Sequence, residues 1–237
     1  MSIFQFKQFS ISHHRSTMKV GTDAVLLGSW VAINGDCRQI LDIGCGCGII
    51  ALMLAQRSNT TITGIDIDKS SIDEATENAQ NSIWKERLSF QQVSVQDFCI
   101  QQNKNQFDLI VSNPPFFEKS LKSPVEKRNL SRHTDTLSFE ELLISVDYCL
   151  SQKGRFAVII PAESAQKIEN LALSHGLFCS QKMGIHAYPN QPANRVMLVF
   201  SRQEIQTQTE MLIIRDTDNS YTDGYRELTK EFYLFSV

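Results

Sequence analysis

From about residue 39 onward the chain alternates short runs of β-branched and aliphatic residues with longer stretches of helical period, which predicts a parallel sheet with crossover helices. The runs Gln39–Ile43, Thr61–Asp66, Leu88–Val93 and Phe107–Ser112 read as the first four strands. Ile49, Ile50, Leu52, Met53 and Ala55 form the apolar side of the helix after the first. Asp68 and Ser70 are candidate caps for the helix after the second, running to about Ser82. Residues 116–136 show no clear period. A helix follows over about Ser138–Leu150, with Ser138 and Glu141 at capping-box spacing. Gly154–Ile160 is a fifth strand, Pro161 and Ala162 lead into another helix, and Leu177–Ile185 and Arg195–Ser201 complete seven. From Met211 the chain reads as a short strand, a polar turn and a helix. The expected architecture is α/β, one domain over 1–237: a core from 37 to 237, with helices on both faces of a mostly parallel seven-stranded sheet, and an extension, 1–36, folded over the sheet's carboxyl edge.

At 237 residues there is room for one large α/β domain. No apolar run approaches the roughly 20 residues that span a bilayer, and the first residues lack a secretory layout, so a cytoplasmic protein with no membrane association is expected. Six cysteines include the pair Cys45 and Cys47, whose spacing suits neither a zinc ribbon nor a redox site. They are read as reduced, small side chains, and no metal is expected. The net charge of −3 is unevenly spread. Residues 1–22 and 116–134 each carry +3, leaving −9 on the remainder, so two basic segments on an acidic body offer a local grip on a polyanion.

The first strand runs into Asp42-Ile43-Gly44-Cys45-Gly46-Cys47-Gly48, a glycine turn between strand and helix. A dinucleotide fold would place its third glycine at position 49, which is Ile. The pattern suits a ligand without a pyrophosphate. S-adenosylmethionine carries a sulfonium and an amino acid, to which Asp42 offers opposite charge. Asp66 ends the next strand, where an acid can accept both ribose hydroxyls. Asp97 follows the third strand and is a candidate acceptor for the adenine amino group, with helix capping as the alternative.

Asn113-Pro114-Pro115-Phe116 closes the fourth strand. A planar amino group is a weak nucleophile because its lone pair is delocalised. A catalyst must accept hydrogen bonds from both of its N–H groups. The Asn113 side-chain carbonyl and the Pro114 carbonyl supply two acceptors, and the double proline holds them in place. Phe116 offers a flat face for a planar base, worth about 1–3 kcal/mol per base stacked. Both motifs fall at the carboxyl ends of strands, where open α/β sheets bind ligands.

With these motifs the chain resembles class I methyltransferases of the Rossmann-like, amino-group-modifying kind. Phe6-Lys7-Gln8-Phe9 and the block Met18-Lys19-Val20-Gly21-Thr22-Asp23-Ala24 narrow the resemblance to the bacterial tRNA(1)(Val) (adenine(37)-N(6))-methyltransferase family. It extends through Asn113–Phe116, the segment holding Arg128, Arg132 and His133, and the tail with Tyr221, Phe232 and Tyr233. The resemblance implies that Lys19, Gly21, Thr22 and Asp23 help close the pocket around S-adenosylmethionine, beside Asp42, Gly44, Gly46, Gly48, Asp66 and Asp97. It implies that the acceptor is the 6-amino group of adenosine 37, beside the anticodon of a valine tRNA. Lys7, Arg15, Arg128, Arg132 and His133 become candidate contacts to the tRNA anticodon stem-loop, with no obligatory protein partner. Three alternatives stay open: an rRNA or DNA adenine, a protein glutamine amide, and a non-catalytic RNA-binding relative. The short extension and Phe116, where amide-modifying enzymes usually carry Tyr, argue against the amide.

Overall fold

In the computed structural model, residues 3–16, 20–102, 104–114 and 137–234 are described. Two short strands, β1 (Ile3–Gln5) and β2 (Ser10–Ser12), pair as an antiparallel hairpin. After helix α1 (Thr22–Trp30) come β3 (Gln39–Ile43), α2 (Ile49–Arg57), β4 (Thr61–Asp66), α3 (Lys69–Gln80), β5 (Leu88–Gln92), α4 (Val95–Gln101) and β6 (Phe107–Ser112). Helix α5 (Phe139–Cys149), β7 (Leu150–Pro161), α6 (Ala165–Ser174), β8 (Phe178–His186), β9 (Arg195–Ser201), β10 (Gln208–Ile213) and α7 (Asp223–Thr229) follow.

The main sheet has eight strands in the order β10-β8-β9-β7-β6-β3-β4-β5. Only β9 runs against its neighbours. The expected seven strands become eight because the short strand near Met211 begins at Gln208 and pairs parallel with β8 at the sheet edge. The capping box at Ser138 and Glu141 forms as the spacing predicts, and Asp68 caps α3 through the amides of Ser70 and Ser71.

Side chains alternate across each strand, so each sheet face builds its own core. Ile40, Ile62, Leu109 and Ile159 pack with α1 and α2 on one face; Leu41, Ile65, Ile110 and Phe156 pack with α4, α5 and α6 on the other. Helix α1 lies within the first core, although the sequence assigns residues 1–36 no regular element. Ala24, Val25, Leu26, Leu27, Gly28 and Ser29 are all buried. A helix buried on every side has no polar face, and therefore no 3.6-residue alternation to read. Its last carbonyls are met by arginines: Arg57 donates to Gly28 at 2.7 Å and to Val31 at 2.9 Å, and Arg155 to Ala32 at 2.7 Å. Among the described residues no helix is long and apolar enough to cross a membrane.

Small residues along β4 and the loop after β3 make room for the Phe90 ring. A Cβ on Gly64 would lie 2.5 Å from Phe90 Cδ1, and one on Gly48 would lie 3.0 Å from Phe90 Cζ. Gly64→Ala should therefore destabilise the protein by about 1–3 kcal/mol through overpacking. Adding Phe90→Leu should recover part of that loss. Urea unfolding of the single and double variants measures both, and additive losses would remove the ring from the explanation.

Candidate active site

Parallel pairing of β3 with β6, with Ile43 opposite Ser112, places the glycine turn and the Asn-Pro segment on adjacent strand ends. The Ser112 hydroxyl donates to the Ile43 carbonyl at 2.9 Å and ties these two ends together. Strands lie about 4.8 Å apart in a sheet, so a group bound at one motif is within reach of the other.

The glycine turn is built by backbone that side chains resist. Gly44, Gly46 and Gly48 have φ of 70°, 53° and 80°, a left-handed region open to glycine at no steric cost. The amides of Gly44 and Cys45 donate to the Ile65 carbonyl at 2.9 and 3.0 Å. The Gly46 amide donates to Asp66 Oδ2 at 3.0 Å, and the Asp68 amide to Asp66 Oδ1 at 2.9 Å. The turn and the second strand's acid are thus one hydrogen-bonded unit. Gly48, ahead of α2, supplies no side-chain cap; the amides of Ile49 and Ala51 in the helix's first turn instead face the Cys47 and Asp42 side chains. Cys45 and Cys47 are buried free thiols. Burial pushes the Cys47 thiol up to about 12, so it serves as a small neutral side chain.

Asp42 is completely buried, and among the described residues neither of its carboxylate oxygens has a hydrogen-bond partner of good geometry. The nearby Ala51 amide, in the first turn of α2, acts to lower its carboxyl, but burial, with the charge of Asp66 adding to it, outweighs this and pushes it up to about 7. Burial also raises Asp66, opposed by the amides it accepts. A carboxylate in this position is matched by a cation. The Asn113 side chain is 8% exposed and its Oδ1 is buried without a partner. Two buried acceptors therefore lie on neighbouring strands, an acid suited to a cation and an amide oxygen suited to an N–H. The donor set fits S-adenosylmethionine: a carboxylate for its positive charge and an acid at the second strand for its ribose.

Other expected residues fall in varied places. Gly21 caps α1 with extended backbone, and Thr22 opens the helix. Asp23 forms an ion pair with Arg195 at 2.8 Å. Arg195 begins β9 beside Pro161 at the end of β7, so this pair fastens the start of α1 to the sheet edge that carries Asn113. Asp97 takes the capping role: its amide donates to the Ser94 hydroxyl at 3.1 Å, and that hydroxyl donates to its carboxylate at 2.7 Å. Ser94, immediately ahead of α4, stands nearer the strand exit. Lys7 donates to the Lys230 carbonyl at 2.6 Å, on the hairpin turn against the chain's last helix. Arg15 is engaged by Glu77 and lies 3.9 Å from Glu74. Neither is brought together with Asn113. Phe232 is buried in the core. Lys19, Pro115, Phe116, Arg128, Arg132 and His133 lie outside the described residues.

Sequence reasoning missed Ser112, Arg195 and two α3 side chains, Glu74 and Asn78. Burial pushes the Glu74 carboxyl up, but the amides of Arg15, Ser16 and His14 with the Ser16 hydroxyl outweigh it and hold it low. Only the helical spacing of Glu74 and Asn78 could have signalled that they share a face; nothing in it names partners some 60 residues earlier.

The methyltransferase small domain family matches residues 16–160. A Bacteroides fragilis protein named tRNA1(Val) (adenine(37)-N6)-methyltransferase is 42% identical over 234 residues, covering 98% of this chain and 97% of its own. A Haemophilus influenzae protein of the same name is 40% identical, covering 99% of each. Among solved structures, a predicted O-methyltransferase from Agrobacterium tumefaciens superposes with a TM-score of 0.70 at 18% identity, over 89% of this chain and 96% of that one. A Streptomyces coelicolor geranyl diphosphate C-methyltransferase, solved with S-adenosyl-L-homocysteine, gives 0.53 at 12%, over 76% and 77%. At these identities the structural likeness is one of fold.

Because the folded Asp42 carboxyl stands above its ordinary range, its ionisation disfavours the ligand-free fold. That penalty is absent below about pH 4 and grows until pH passes about 7. Asp42→Asn should therefore raise the melting temperature of the ligand-free protein at pH 8 and leave it nearly unchanged at pH 4, while weakening binding of S-adenosylmethionine. Thermal melts at the two pH values and calorimetry check both; an equal shift at both pH values would show that Asp42 is not buried as a charge.

Proposed function

The chain belongs to the methyltransferase small domain family, within it to the tRNA1(Val) (adenine(37)-N6)-methyltransferases, and from that premise we propose that it methylates the 6-amino group of adenosine 37 in a valine tRNA. S-adenosylmethionine, when bound, supplies an electrophilic methyl group. Asp42 offsets positive charge there, Asp66 accepts from the ribose, and the glycine turn admits the ligand close to the backbone. Gly21, Thr22 and Asp23, with Lys19, close the pocket from the N-terminal side.

The observation that carries the catalytic reading is the buried, unpartnered Oδ1 of Asn113. It accepts one N–H of the target amino group, and the Pro114 carbonyl accepts the second. Holding both hydrogens biases the nitrogen toward a tetrahedral shape and frees its lone pair. Once the nitrogen is methylated its surplus proton is acidic and leaves to water, so no dedicated base is needed. Pro115 stiffens the exit, and Phe116 stacks on the base, which is flipped from its loop at a cost of a few kcal/mol. Arg128, Arg132 and His133 are the proposed phosphate contacts of the anticodon stem-loop. Lys7 and Arg15, bound to partners of their own, are weaker candidates.

Asn113→Ala should lower the methylation rate by about 100-fold or more, as when a single positioned partner of a transition state is removed. It should leave affinity for S-adenosylmethionine within about twofold. Calorimetry and tritiated methyl transfer into RNA from a strain lacking the protein measure the two effects, and mapping the labelled nucleoside identifies the acceptor. Label in rRNA, in DNA or on a protein glutamine would replace the tRNA assignment. A wild-type protein with no affinity for the methyl donor would point to an RNA-binding role without catalysis.

A further inference from the structure

Residues 13–16 belong to no helix or strand, and the amides of His14, Arg15 and Ser16 are met by an α3 side chain. Glu74 Oε1 accepts the N–H groups of His14 and Arg15 at 2.9 and 3.1 Å, and Oε2 accepts that of Ser16 at 2.9 Å. One turn along the same helix face, Asn78 accepts the Ser12 amide at 2.9 Å. It donates to the Ser12 carbonyl at 2.8 Å and to the Cys47 carbonyl at 2.9 Å. Cys47 lies between Gly46 and Gly48 in the glycine turn. Glu74 is fully buried and Asn78 is 4% exposed.

This arrangement demands these side chains. A carboxylate is an acceptor only, with lone pairs for all three amides, and consecutive N–H groups converging on one point form an anion-binding nest. A glutamine would turn an NH2 group toward those donors, and an aspartate is one methylene short. Helix α3 also starts at the other side of the same site. Its cap, Asp68, donates its amide to Asp66, which in turn holds Gly46. One helix is therefore tied through its cap to the acid that ends β4, and further along grips both the glycine turn and the segment leading to Gly21–Asp23.

Building on the methyltransferase reading of the site, we propose that Glu74 and Asn78 are positioning residues that lock the N-terminal segment to the glycine turn, so that the wall formed by Gly21–Asp23 is set before the methyl donor arrives. A preset wall acts on donor binding and leaves the transfer step alone. The ordering cost of the segment is met in folding and is not charged to the ligand. Glu77 also meets this segment through Arg15, but in an exposed ion pair that contributes little to the lock.

Glu74→Gln should raise both the dissociation constant and the KM for S-adenosylmethionine about tenfold or more, with kcat on tRNA at saturating donor within about threefold. Glu77→Gln should leave donor binding within about twofold. A structural role alone would lower the melting temperature without separating KM from kcat. If the wild-type protein binds the donor and Glu74→Gln binds it equally well, the positioning role is overturned. If the wild-type protein does not bind the donor, the methyltransferase reading falls and takes the proposal with it. Should Glu74→Gln not fold, hydrogen exchange of the wild-type protein decides. Addition of S-adenosyl-L-homocysteine should slow exchange at the amides of His14, Arg15 and Ser16 about tenfold, by reciprocal coupling, and unchanged exchange would overturn the proposal.

Discussion

Asp42, next to last in β3, is fully buried, so that its carboxyl is pushed up despite the Ala51 amide beside it, and the surrounding structure is organised around that disfavoured charge. It shares a strand face with Ile40, the face covered by α2, so water is excluded by the same packing that stabilises the domain. An apolar residue there would fold more easily. The acid is tolerated because two cores, one on each sheet face, hold β3 from both sides. The turn after β3 is built on three left-handed glycines, and a Cβ at Gly44 or Gly46 would meet nothing within 4 Å.

The coupling of donor to acceptor is a matter of register. Ile43 lies opposite Ser112, so the residues just past them, Gly44 and Asn113, leave the sheet side by side. The Ser112 hydroxyl fixes that alignment with one buried bond. Adjacent strands thus hold the glycine turn and the Asn113 amide oxygen side by side. Proximity at this edge is inherited from strand pairing, which is among the most rigid relations a fold offers.

The N-terminal residues show how a segment without regular structure can be placed as firmly as a strand. Glu74 and Asn78 serve residues 12–16 in the way a neighbouring strand would, by supplying acceptors and a donor for the backbone. Farther along, Arg195 holds Asp23, and Arg57 and Arg155 finish the far end of α1. The extension is thereby part of the core and, through Asn78, joined to the glycine turn.

Much of this was legible in the residues themselves. Period-two and period-3.6 patterns located the strands and most helices, because alternation is imposed by backbone geometry and appears wherever one face is wet. Asp42, the glycines, Asp66 and Asn113 could be assigned to chemistry because strand ends followed by those residue types have few other uses. Helix α1 stayed hidden since burial on all sides erases its period, and the eighth strand since an edge strand need bury little. Asp97 shows the limit of local reading. A carboxylate three residues after a serine suits a helix cap and a ligand contact equally well in sequence, and the folded geometry shows the bonds to Ser94. Glu74, Asn78 and Arg195 lay beyond sequence for a related reason. Their partners are dozens of residues away, and a side chain's role in holding another segment is decided by which surfaces meet when the sheet closes. The sequence by itself determined the period, the turns and the chemistry at strand ends, which depend on neighbours along the chain. Tertiary structure alone decided which acids are paired, capped or left unmatched, because that depends on neighbours across it.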